Sequence, residues 1–181
     1  VKNSLTVIKD KSGDVPIRDL EKRKIAYVQL GDASGNYFIN MLQNYTQVDV
    51  ISSRDLDGII KKLQPYNFVI IGFHKSNSNP WKSYKFSKKE LLWLREIARA
   101  KEVVLDIFTS PYSLLQVKKI KNIETIIVSY QNSKVAQELS AQLIFGAFGA
   151  RGKLPVSIKN KFSEGQGLTT SELSRLGYTI P

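Results

Sequence analysis

ETIIVSYQNSKVAQELSAQLIFGAFGARGKLPVSI, residues Glu124 to Ile158, is the stretch from which the fold can be read. Thr125 to Ser129 is a short apolar run rich in β-branched residues, the pattern of a buried strand. After the polar turn Tyr130 to Ser133, Ala136, Leu139, Leu143 and Ala147 recur at helical spacing on one face. Ser140 and Ala141 keep that helix slim, so it can lie close on a sheet. Gly146 and Gly149 are natural stops, and Gly152 opens a turn into an expected last strand, Leu154 to Ile158. Strand, helix and strand in this order predict a βαβ-like unit.

Working outward, the same alternation repeats. Leu5 to Ile8, Lys24 to Leu30, Val48 to Ile51, Phe68 to Phe73 and Val103 to Phe108 read as strands. Phe68 to Phe73 (FVIIGF) is the most apolar, as expected of a central strand covered on both faces. Helices are expected with Phe38, Met41, Leu42 and Tyr45 on one apolar side, and with Leu56, Ile59, Ile60 and Leu63 on another, the latter capped by Ser52 or Ser53. A third, with Leu91, Leu94 and Ala98 inward, opens at the capping box Ser87-Lys88-Lys89-Glu90. Ser113 to Val117 suggests a short helix. Alternation with short turns predicts an α/β fold: a three-layer α/β/α sandwich on a mostly parallel sheet of about five to six strands. The residues after Ile158 form a C-terminal strap with few core positions.

At 181 residues the chain suits one domain, 1–181. It begins at Val1 without a Met or a charged-then-apolar leader, and reads as a piece of something longer. No run approaches the ~20 apolar residues of a membrane helix. Without cysteine there is no disulfide or thiol chemistry, and one histidine, His74, argues against a histidine-based zinc site. The net charge of +11 is spread over small groups such as Lys88-Lys89 and Lys118-Lys119. No aromatic-interleaved binding signature accompanies them, so a charge-complementary protein partner is expected rather than nucleic acid.

The run A-x-x-L-I-F-G-A-x-x-x-R-G-K-L-P-V-S-I, from Ala141 to Ile158, resembles the end of the second domain of family-3 glycoside hydrolases. Phe162, Gly165, Gly167, Leu168, Thr169, Arg175-Leu176-Gly177-Tyr178 and Pro181 extend the resemblance through the tail. At the front, Ser4 to Asp10 and Val15-Pro16-Ile17 are similar to the same domain's entry. The resemblance implies a domain that accompanies a catalytic (β/α)₈ barrel, absent from this chain, and shares a carbohydrate substrate with it. In the β-glucosidase-like branch it would also imply a glutamate acid/base near residues 74–86. No Asp or Glu occurs between Asp57 and Glu90, so the chain is closer to the bacterial N-acetylglucosaminidase-like branch, whose first domain supplies both catalytic groups. A periplasmic or other extracytoplasmic bacterial setting is expected, with the cytoplasm as the alternative.

Ligands of open α/β sheets bind at the carboxyl ends of the strands. The loop Gly31 to Asn36 (GDASGN) could hold a phosphate on backbone N–H groups and faintly resembles a flavodoxin phosphate loop. A tight turn before a helix is the simpler reading. The loop His74 to Phe86 carries Asn77, Asn79, Trp81 and Tyr84, amides and aromatics of the kind that face sugars. There His74 reads as a surface residue. Thr109-Ser110-Pro111-Tyr112 reads as the capped start of a short helix. Glycoside hydrolysis needs two carboxyl groups ~5–9.5 Å apart; Asp32 and Asp106 are the only plausible strand-end pair, and Asp49 and Asp55 lack partners. Asp106, inside a strand, reads as a structural carboxylate. No catalytic residue, metal or cofactor is assigned. The candidates for the cleft or domain interface are Asp32, Ser34, Asn36, His74, Asn77, Trp81, Tyr84 and Tyr112. The rival readings are a stand-alone flavodoxin-like ligand-binding module using Gly31 to Asn36 and an interaction module for an acidic partner.

Overall fold

A computed structural model describes residues 1–76 and 83–178. Six strands form one sheet in the order β1-β6-β5-β4-β2-β3. They are β1 Thr6–Asp10, β2 Ile25–Gly31, β3 Val48–Val50, β4 Phe68–His74, β5 Glu102–Phe108 and β6 Thr125–Val128. All neighbours are parallel except β1, which lies antiparallel on β6. The FVIIGF run is central, between β2 and β5, and buried throughout.

Side-chain alternation divides the core into two layers. Ala26, Val28, Leu30, Val69, Ile71, Phe73, Val103, Leu105 and Ile107 point to one face. There they meet Ile59 and Leu63 of α2 (Leu56–Leu63) and Trp93, Leu94 and Ile97 of α3 (Lys88–Ala100). Ile25, Tyr27, Phe68, Ile70, Val104 and Phe108 point to the other, against α1 (Asn36–Leu42) and α4 (Lys134–Ile144). The molecule is a three-layer α/β/α sandwich. Each large apolar side chain so buried contributes roughly 1.5–3 kcal/mol.

The capping box forms in full: Ser87 Oγ accepts from the Glu90 N–H while the Glu90 carboxylate accepts from the Ser87 N–H. The start of α2 differs from expectation. Asp55, not Ser52 or Ser53, is the cap, its carboxylate accepting the Gly58 N–H at 2.7 Å. Asp55 is still extended, with φ −135° and ψ 167°, and sits three residues before the N–H that it caps.

The βαβ expectation holds for its first two members. α4 ends at Ile144, so Ala147 lies beyond it, and Gly146 turns the chain with φ +79°. Leu154 to Ile158 is not a strand; among the described residues its only ladder contact is an isolated bridge from Ile158 to Phe162. Pro155 has no N–H for a ladder, and the place beside β6 is taken by β1. The G-K-L-P segment instead passes against Ser4 and Leu5, just ahead of β1. A Cβ on Gly152 would stand 2.3 Å from the Leu5 carbonyl oxygen, and one on Gly167 2.2 Å from that of Gly152. Bare backbone is therefore required where three chain segments stack.

The tail is a strap with specific clasps. The Leu168 N–H donates to Val7 O and that of Leu173 to Gly146 O, both at 2.7 Å. Arg175 donates to the carbonyls of Ile17 and Phe145, which gives the R-L-G-Y segment a structural purpose. Tyr178 accompanies it, its N–H bonded to Gln142 and its ring edge-on to Tyr45.

Candidate functional site

The carboxyl ends of β2, β3 and β4 open onto a cavity of about 440 Å³ beside the first turn of α3. Its polar lining includes Asp32, Ser52, Ser53, Lys75, Lys89 and Glu90, with Trp93 as an apolar wall. Asp32 pairs with Lys75 at 3.4 Å. Glu90 is spent on backbone: one carboxylate oxygen accepts the Ser87 N–H at 2.8 Å and the other the Gly31 N–H at 2.6 Å. It thus caps α3 and anchors the loop after β2 at once. The cavity offers hydroxyls, an ion pair and a lysine to a hydroxyl-rich ligand, but no free carboxylate pair.

Asp106 does not complete such a pair. It is fully buried on the α1/α4 face, where the Ser129 hydroxyl donates to one oxygen at 2.7 Å and the Ser140 hydroxyl to the other. Burial pushes its carboxyl up to about 7, against the opposing pull of the two serines. The reading as a structural carboxylate agrees with this environment. Ser140 is therefore more than a slim residue; it pins α4 to β5.

His74 differs most from its expected role. Rather than lying at the surface it is wholly buried, stacked on Phe108 with ring centroids 4.5 Å apart. Its Nδ1 lies 2.7 Å from Asn132 Oδ1, and its Nε2 2.7 Å from the Tyr27 hydroxyl. Asn132 donates through its NH₂ to Ser34 O, which leaves Oδ1 as an acceptor and requires the proton on Nδ1. Burial holds the imidazole down at about 4, so it is neutral, and Nε2 accepts from Tyr27. The sequence pattern that could have signalled this is its place as the next alternate residue after Ile70 and Gly72. A Cβ at Gly72 would stand 2.3 Å from His74 Nε2, so the glycine makes room for the ring.

This buried network fixes the loop Gly31 to Asn36. The Gly35 N–H goes to Gln29, the Asn36 N–H to Ser34 Oγ and the Ala33 N–H to His74 O. Gln137 of α4 accepts the Phe38 N–H and donates to Ser34 O. The N–H groups of Ala33, Gly35, Asn36 and Phe38 are thus committed to protein, and α1 has only seven residues. The geometry is that of a pinned turn.

Of the sequence candidates, Asp32 lines the cavity, and Ser34 and Asn36 lie exposed on the neighbouring loop. Tyr84 is half-buried ahead of α3, and Tyr112 is exposed in the 3-10 helix Pro111–Gln116 that follows β5. Ser110 Oγ caps that helix at the Tyr112 N–H, as expected. Asn77 and Trp81 lie outside the described residues. Trp93, Ser52, Ser53 and Lys75 were not foreseen as cavity residues. Ser52 and Ser53 read as helix caps from the sequence, whereas here they line the cavity with Trp93 of α3. Among the described residues no group of three or more His, Cys, Asp or Glu converges as a metal site, and no helix is long and apolar enough to cross a membrane.

No family model matches the chain, and no curated protein does. Solved structures do match. A fungal multi-domain GH3 β-N-acetylglucosaminidase superposes with a TM-score of 0.70 at 22% identity, over 88% of this chain and 18% of its own. A β-glucosidase from Listeria innocua, solved with gluconolactone, gives 0.69 at 17% identity over 85% and 25%. The β-glucoside phosphorylase BglX gives 0.63 at 16% identity over 89% and 31%. The chain thus spans less than a third of the length of these carbohydrate-active enzymes and shares the fold of one part of each.

Proposed function

We propose that this chain is the second, α/β-sandwich domain of a family-3 glycoside hydrolase. In this reading it packs on a catalytic (β/α)₈ barrel, closes one wall of the sugar-binding cleft with its carboxyl-edge loops, and leaves the bond-breaking groups to the barrel. The observation that carries the reading is the coverage: nearly all of this chain matches 18–31% of each of three such enzymes. The edge chemistry supports it. Glu90 is spent on two backbone N–H groups, Asp32 faces Lys75 and Asp106 is buried, so no pair is arranged for acid/base or nucleophilic work. The missing glutamate favours the β-N-acetylhexosaminidase-type branch over the β-glucosidase type.

The test is turnover of nitrophenyl N-acetylglucosaminide and nitrophenyl glucoside by the chain alone and fused behind a family-3 barrel of the hexosaminidase type. The chain alone should give background rates and the fusion measurable hydrolysis above that of the barrel by itself. Turnover by the isolated chain that disappears with Asp32→Asn would overturn the proposal, as would a fusion no better than its barrel.

A further inference from the structure

A second cavity, of about 240 Å³, lies on the outer flank of the α2/α3 layer. One wall is a stripe of α3 made by Lys88, Leu91, Leu92, Leu94, Arg95 and Ala98. The other is the crossover between β5 and β6, where Val117 and Ile123 form the floor and Lys118 and Lys119 the rim. Leu92 is 40% exposed on this stripe, whereas Leu94 and Ala98, which also line the cavity, are buried at its base. An apolar floor under a basic rim is left open to solvent.

We propose that this groove docks an acidic amphipathic helix of a partner protein. No Asp or Glu lines it among the described residues. Lys88, Lys118 and Lys119 are exposed and make no ion pair among the described residues, while Arg95 is held by the neighbouring Glu96 at 3.2 Å. Three free cations around an apolar trough complement a helix with leucines on one face and carboxylates beside them. From Lys88 to Ala98 the stripe runs about 15 Å, the length of roughly three helical turns. Nucleic acid fits less well, since its phosphates have no use for an apolar floor. A second copy fits less well too, because a two-fold contact sets the same lysines against each other in a chain of net charge +11. The proposal does not depend on the barrel, which would occupy the carboxyl edge.

The experiment is fluorescence anisotropy on the full chain with two labelled designed helices of about 18 residues. One carries leucines along one face and glutamates elsewhere; in the other, lysines replace the glutamates. The acidic helix should bind at least ~10-fold tighter than the basic one, and added salt should weaken it. Leu92→Glu, and separately Lys118→Glu with Lys119→Glu, should each weaken the acidic helix at least ~10-fold with melting temperature unchanged. All these positions are exposed, so the variants should fold. Equal binding of both helices, no binding of either, or binding indifferent to both variants overturns the proposal. So does concentration-dependent dimerisation of the free chain that Leu92→Glu abolishes, since the occupant is then a second copy.

Discussion

The two faces of the sheet bury similar numbers of strand residues but are built from different materials. The α2/α3 face is predominantly apolar, closed by Phe73 stacked on Phe86 and by Trp93, Leu94 and Ile97. The α1/α4 face embeds Asp106, His74 and Tyr27 among its aromatics, each tied by hydrogen bonds to another element. Apolar packing specifies proximity, and it does so without fixing direction. Hydrogen bonds to Ser34 O, to the Gly35 N–H and to α4 fix where the loop after β2 sits. The polar face thus positions the carboxyl edge, and the apolar face supplies the bulk of the cohesion.

That contrast breaks most visibly if the apolar face is cut. Phe73→Ala removes a buried ring with centroid 3.8 Å from that of Phe86 and should cost about 3–5 kcal/mol in urea unfolding. A loss below ~1 kcal/mol would mean the face collapses around the void, and the division of labour would fail.

The polar face should respond less and differently. Asn132→Ala strips the acceptor from His74 Nδ1–H and the donor from Ser34 O, for a cost of about 1–3 kcal/mol. Amide exchange should quicken at Gly35 and Asn36 while the α2/α3 face stays protected. Exchange that rises uniformly across the molecule would show that the network is ordinary packing rather than a local pin.

The difference between the faces also decides what could be read in the sequence. Apolar strands are visible because apolar runs rich in β-branched residues, such as Thr125 to Val128, leave few other states. The α3 start is visible because all four members of its capping box are adjacent in the chain. What escaped depends on partners far apart in sequence. His74 is buried because Asn132, Tyr27 and Gly72 make a place for it; strand alternation hints at its inward direction, but its hydrogen-bond partners are 47 and 58 residues away. Ser140 meets Asp106 across 34 residues. Leu154 to Ile158 has strand composition, yet β1 had already taken the sheet edge. At the cavity, Asp32 was legible as a strand-end carboxylate. Lys75 and Trp93 were not, since their relevance arises only when the first turn of α3 meets the end of β2 through Glu90.

The smallest effects lie in the pH dependence, where the two buried titrating groups of the polar face act with opposite signs. His74 is held at about 4, below its ordinary 6.5. The unfolded chain therefore binds the extra proton between those values, and the stability owed to the neutral ring is lost as pH falls through that window. Asp106 is raised from 3.8 to about 7, so the folded state binds the extra proton, and stability falls as pH rises from about 4 to about 7. Ser129 and Ser140 face Asp106; Tyr27, Asn132 and Phe108 face His74. Each group can contribute up to roughly 1.4 kcal/mol for each pH unit, and between pH ~4.5 and ~6 the two nearly cancel. Single variants separate them. On acidification through that range wild type should gain stability relative to Asp106→Asn and lose it relative to His74→Gln, measured by urea midpoints at matched ionic strength. The same sign for both differences would mean that one of these groups is charged in the folded protein. The polar face would then hold its loop by an ionic contact instead of the neutral hydrogen bonds described above.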